Sequence, residues 1–127
     1  MVWTGGEVIL WGYLVAFDGS TERQSAPAAA YDPLAKTWRA LPDAPLDLAP
    51  PWEGAGGAQI VWAGDAMVVT TGNLDVAGTR TLALDPSTGA WSPLASPPTA
   101  PNYSGTLVWT GREVIALGQA PTGLVLR

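Results

Sequence analysis

Two carboxylates are the first residues whose types and spacing suggest a reaction. Asp43 and Asp47 fall within PDAPLDLAPPWEGAGG, residues 42–57. A pair of carboxylates flanking a sugar linkage is what glycoside hydrolysis uses. Nothing in this stretch fixes their separation, and both lie close to prolines, so they read as exposed turn carboxylates. The remaining inventory is sparse. The chain has no cysteine and no histidine. There is therefore no disulfide framework, no thiolate metal site, and neither the commonest general base nor the commonest metal ligand. No EF-hand spacing, phosphate-binding glycine loop or nucleophile elbow is present. The expectation is a chain that is not an enzyme, with no cofactor and no metal.

Charge narrows the partners. The formal net charge is -5, and the six basic residues are scattered. No basic patch is available for a phosphate backbone, which argues against nucleic acid. No apolar run approaches the roughly 18 residues of a membrane span. No basic segment precedes an apolar one at the N-terminus, so no signal peptide is visible. Localisation is left open, and would be extracytoplasmic if the true N-terminus lay upstream.

The elements that hold these side chains are short. Of 127 residues, 47% are apolar, with 15 Gly, 12 Pro and 7 Trp. That much punctuation, without a long amphipathic period, predicts many short strands joined by turns. One turn is written three times: MVWTGGE at the start, IVWAGDA in the middle and LVWTGRE near the end. Trp3, Trp62 and Trp109 mark the copies, at the roughly fifty-residue spacing of stacked supersecondary units. Each copy is followed by a short apolar run ending at a glycine, Gly12, Gly72 or Gly118. Strands buried on both faces read this way, and such glycines permit close backbone approach. A second marker recurs: YDPLAKTW at 31–38 and LDPSTGAW at 84–91. Asp and Pro suit the first positions of a type I turn. Gly89 then suits a left-handed position, and Lys36, its counterpart, would hold that backbone under strain.

The strands are expected near 1–4, 7–12, 27–31 and 37–41; then 58–63, 66–71, 79–84 and 90–94; then 106–110, 113–118 and 122–126. Four antiparallel strands per unit form the blade of a β-propeller. The sequence resembles the kelch-repeat β-propellers, especially bacterial kelch-like repeats with a Val-Trp-Thr-Gly turn. Val2-Trp3-Thr4-Gly5, Val61-Trp62-Ala63-Gly64 and Val108-Trp109-Thr110-Gly111 carry that resemblance, with Tyr31-Asp32-Pro33, Leu84-Asp85-Pro86, Trp38 and Trp91. It spans nearly the whole chain. It departs from the family in keeping one glycine where the family has two, and in Leu84 where the family has Tyr. The fold class it implies is all-β, with antiparallel four-stranded blades of a partial kelch-type β-propeller. The chain reads as a single partial propeller over 1–127: blade one 1–57, blade two 58–104 and an incomplete blade three 105–127. Trp38 and Trp91 are expected to pack between adjacent sheets.

Propellers usually close with four to eight blades. Two complete units and part of a third imply a fragment of a longer propeller, self-association of several chains to complete the ring, or a stable open monomer. Some kelch-like propellers are copper oxidases of the galactose oxidase type, which use histidine ligands and a tyrosine cross-linked to cysteine; this chain has neither residue type. The Asp box of sialidase propellers also fails, because Gly89 and Trp91 stand too far from Asp85.

Strand parity places the long connections on one face: YLVAFDGSTERQSA at 13–26, PDAPLDLAPPWEGAGG at 42–57, NLDVAG at 73–78 and SPPTAPNYS at 96–104. Long loops on a rigid scaffold are where binding usually resides. Asp18, Glu22, Arg23, Trp52, Glu53, Asp75, Asn102 and Tyr103 form the candidate surface. The function expected is a noncatalytic binding or scaffold module that presents this face to a protein or carbohydrate partner. The alternative is an accessory part of a larger propeller enzyme, of oxidase or glycosidase type, with its catalytic residues outside this chain.

Overall fold

The computed structural model describes residues 1–12, 14–45, 55–73, 80–95, 106–117 and 124–126. Every regular element among them is a strand. The first sheet contains β1 (Val2–Trp3), β2 (Val8–Trp11), β5 (Ala28–Asp32) and β6 (Thr37–Leu41), in the order β1-β2-β5-β6. Between its second and third strands stands a separate hairpin, β3 (Leu14–Asp18) with β4 (Thr21–Ser25). The second sheet is a meander of β7 (Ala55–Trp62), β8 (Met67–Asn73), β9 (Arg80–Asp85) and β10 (Ala90–Leu94). The third contains β11 (Thr106–Trp109), β12 (Val114–Leu117) and β13 (Leu124–Leu126). All pairings are antiparallel. The expected strands all appear, and β7 begins earlier than expected, at Ala55. The expected loop at 13–26 is instead mostly the β3–β4 hairpin.

The repeated turn owes its sequence to two devices. Its glycine has positive φ: 105° at Gly5, 88° at Gly64 and 93° at Gly111. This is the left-handed side that L side chains avoid. Thr4 and Thr110 then tie the turn internally. Each hydroxyl accepts from the backbone N–H three residues on, Glu7 and Glu113, at 3.0 Å. In the middle copy Ala63 lacks the hydroxyl but keeps the backbone bond from its N–H to the Ala66 carbonyl at 2.8 Å.

The Asp-Pro turns are tied in the same way. The Asp32 carboxylate accepts from the N–H groups of Leu34 and Ala35 at 2.8 and 3.0 Å. Asp85 accepts from the Ser87 hydroxyl and N–H at 2.6 and 2.8 Å and from the Thr88 hydroxyl at 2.9 Å. Gly89 has a φ of 73° and Lys36 a φ of 57°. A Cβ on Gly89 would come within 3.0 Å of the Pro42 ring, so there the lack of a side chain also makes room for the neighbouring sheet.

Packing follows from strand alternation. In the second sheet, cross-strand register aligns Trp62, Met67, Leu84 and Trp91 on one face. Val61, Val68 and Ala83 align on the other. The first row is aromatic and bulky, the second small and aliphatic. The bulky face packs on the first sheet, where Met67, Val69 and Leu84 bury themselves against Ile9, Ala28, Ala30 and Leu41. The aliphatic face receives the third sheet, where Val68 packs with Leu107, Val114 and Ala116, flanked by Trp109. The middle sheet is thus buried on both faces. Thr70 and Thr81 are also buried in it, and their hydroxyls meet at 3.2 Å, satisfying two groups that would otherwise be costly to bury. The sheets approach each other most closely at their first strands, where β7 lies against both β1 and β11.

Polar bonds seal the seam between the first two sheets. The Trp91 indole N–H donates to the Pro42 carbonyl at 2.8 Å. The Arg39 guanidinium grips Glu7 with two bonds, at 3.0 and 2.7 Å, and donates to the Pro86 carbonyl at 3.1 Å. The pair of hydrogen bonds from Arg39 holds the Glu7 carboxyl below its ordinary range and raises Arg39.

Two expectations are corrected. Trp91 packs between sheets, but Trp38 is 59% exposed, because no sheet among the described residues covers its face of the first sheet. It stacks instead on its cross-strand neighbour Tyr31, ring centroids 4.8 Å apart. Gly12 allows no close approach either, since a Cβ there would meet nothing within 4 Å.

Lys36→Gly should raise the melting temperature by relieving about 1 kcal/mol of left-handed strain. Gly89→Ala should lower it, because strain and the Pro42 contact act together. Thermal denaturation of both variants checks this, and a lower melting temperature for Lys36→Gly would contradict it. A second test uses acid. Hydrogen bonds from the Ser87 hydroxyl and N–H, then from the Thr88 hydroxyl, push the Asp85 carboxyl down to about 2 from 3.8. Its folded value lies below its unfolded one, so its contribution is present above about pH 4 and lost as pH falls towards about 2. Asp85→Asn should flatten stability against pH across that window; an unchanged acid limb would show that the turn does not hold the proton equilibrium this way.

Candidate functional site

The candidate surface divides at the boundary of the described residues. Asp18, Glu22 and Arg23 lie within them, on the β3–β4 hairpin. Trp52, Glu53, Asp75, Asn102 and Tyr103 lie outside them, as does Asp47 of the carboxylate pair; Asp43 is exposed.

The hairpin pairs an apolar strand, LVAFD, with a polar one, TERQS, across a tight turn. Phe17-Asp18-Gly19-Ser20-Thr21 places Gly19 and Ser20 between the paired Asp18 and Thr21. Gly19 has a φ of 64°, as the first central residue of a two-residue type II′ turn requires. The register then sorts the candidates. Ala16 faces Arg23 and Asp18 faces Thr21 across the strands, so Asp18 and Arg23 share one face. They form an ion pair at 3.7 Å. Phe17 pairs with Glu22 on the other face, where Glu22 accepts a hydrogen bond from the Gln24 side-chain amide. The structure therefore joins Asp18 to Arg23 and turns Glu22 away from them.

Phe17 is the residue that the loop reading missed. It is 72% exposed, and Leu14 on the opposite face is also exposed. The signal was present: Asp18-Gly19-Ser20 is turn chemistry directly after the apolar run Leu14 to Phe17. A two-stranded hairpin alone is marginally stable in water, and here Ala16, Phe17, Asp18 and Thr21 to Gln24 all stand exposed. At its base the ends of β2 and β5 frame a largely apolar hollow of about 300 Å³, lined by Leu10, Trp11, Gly12, Pro27, Ala28 and Ala29. A second hollow, of about 200 Å³, opens at the seam of the second and third sheets, with Trp109 and Leu94 inside and Asp65 and Arg112 among its lining.

The hairpin offers one large aromatic ring, two acids, a guanidinium and an amide, beside an apolar depression. Among the described residues no three His, Cys, Asp or Glu side chains come together as a metal site would need. No helix among them is long and apolar enough to cross a membrane. Compared with protein-family models and with curated proteins, the chain matches none.

Asp18→Ala, Glu22→Ala, Arg23→Ala and Phe17→Ser should each change folding stability by less than about 0.5 kcal/mol, as exposed positions and surface ion pairs do. Chemical denaturation measures this. A loss above about 1 kcal/mol at any of them would give the hairpin a structural role in place of a binding one.

Proposed function

We propose that this chain is a noncatalytic binding or scaffold module of kelch-like propeller type. Its blades would hold one loop face rigid and present that face to a protein or glycan partner. The observation that carries the binding reading is the exposed β3–β4 hairpin, which projects Phe17, Asp18, Glu22 and Arg23 beside the hollow at the end of the first sheet. An exposed aromatic with polar neighbours has no folding benefit where it stands, and aromatic and arginine side chains dominate contact energies at interfaces. The propeller reading is supported by the head-to-tail stacking of the sheets and by the convergence of their first strands. That is the wedge from which radial repetition of four-stranded blades is built. Kelch-like membership rests on the three Trp-centred turns and the two Asp-Pro turns.

The test is a screen of the folded chain against a glycan array and a displayed peptide library. Phe17→Ser and Arg23→Ala are carried in parallel. Ligands of the loop face should lose about tenfold or more in affinity with Phe17→Ser, the loss expected when an interface anchor is removed. Ligands that bind equally well after the hairpin is replaced by a short Gly-Ser link would contradict the reading.

A further inference from the structure

The two internal seams of this protein are the same seam used twice, and each half of it is left open once. In both seams the bulky face of one sheet packs on the aliphatic face of the sheet before it. The second sheet offers Trp62, Met67, Leu84 and Trp91 to the Val2, Ile9 and Ala30 face of the first. The third offers Trp109 and Val114 to the Val61, Val68 and Ala83 face of the second. The first sheet has the same bulky face: Trp3, Val8, Tyr31 and Trp38 stand in one cross-strand row. The third has the same aliphatic face, with Val108 and Ile115 in register.

Exposure shows that these two faces are the open ones. Met67, in the bulky row of the second sheet, is fully buried, and Trp62 and Trp91 are partly buried. In the equivalent row of the first sheet, Trp3 is 53% and Trp38 59% exposed. On the aliphatic side Ile9 and Val68 are buried, whereas Ile115 is half-buried and Val108 is 41% exposed. Neither row carries a charged side chain. Exposed tryptophans clustered in one row are the kind of patch that marks an interaction surface.

We propose that the open bulky face of the first sheet docks on the open aliphatic face of the third sheet of a second copy of this chain. The occupant follows from continuity. The molecule already contains two examples of this face on that face, and among the described residues each face is left uncovered once, on the first sheet and on the third. The contact is heterologous, so copies add head to tail, closing a ring or extending as an open series. It uses the sheet faces, so it does not depend on what the hairpin binds. Electrostatics sets a further expectation. Copies with a net charge of -5 repel one another, while the contact itself is uncharged, so added salt should strengthen association by screening the repulsion.

The experiment is light scattering on a sizing column over about 1 µM to about 1 mM, a range that captures weak and moderate contacts. Wild type is run beside Trp3→Glu, which blocks the bulky face, and Val108→Glu, which blocks the aliphatic one. Circular dichroism confirms that each remains folded; if Trp3→Glu does not, Trp38→Glu at the more exposed position replaces it. The wild-type mass should rise with concentration and with salt. Each variant alone should stay at monomer mass. The two variants mixed should form a complex of twice that mass, because each retains the face that the other has lost. A wild type that stays monomeric over the whole range would overturn the proposal. So would a Val108→Glu variant that associates as the wild type does, since the bulky faces would then be pairing with each other. A mixture that forms no complex would overturn it equally.

Discussion

The structure depends on one contact, repeated: a row of large side chains from one sheet laid across a row of small ones on the sheet before it. Apart from two hydrogen bonds across the first seam, this packing is what holds the sheets together, since there is no disulfide and no helix among the described residues to cover a face. Bulk against aliphatic rows is efficient because tryptophan and methionine fill the space that valine and alanine leave. The middle sheet takes part twice, which is why its strands are apolar on both sides. The buried Thr70 and Thr81 hydroxyls sit among them bonded to each other, which offsets the cost of burying them.

That contact demands exact register, since a slip of one residue would exchange the two faces. The turns supply it. Threonine hydroxyls, aspartate carboxylates and positive-φ residues fix where the described turns reverse, between β1 and β2, β3 and β4, β5 and β6, β7 and β8, β9 and β10, and β11 and β12. They hold the bulky residues in line across four strands. Pro93 lies in the last strand of its sheet, an edge where its missing N–H costs no ladder bond. Local chemistry and sheet packing thus point the same way, as consistent folding requires.

Much of this was legible in the sequence. Short apolar runs between recurrent turns located the strands, and the pairing of Gly89 with Lys36 by position anticipated the positive φ at both. What the sequence hid was context. Trp38 and Trp91 occupy matching sites, yet one is largely exposed and the other partly buried and bonded to the Pro42 carbonyl, because another sheet lies alongside the second. The hairpin at 14–25 was hidden for a different reason. Its polar second half, TERQS, suggested a loop, and the turn signal at Asp18-Gly19 was outweighed by the length of the segment. Phe17 was missed with it. Of the candidate residues, the hairpin unites Asp18 with Arg23 and separates Glu22, a division set by strand parity alone.

Two of the bonds that cross between the first and second sheets end on main-chain oxygens, those of Pro42 and Pro86. A carbonyl is present whatever residue carries it. The acceptor positions can therefore change identity while the seam keeps its geometry, and only the donors, Trp91 and Arg39, are bound to a side-chain type. Such a joint tolerates divergence between copies of a duplicated unit. It lets the sequence at those positions vary while the two sheets still meet in the same way.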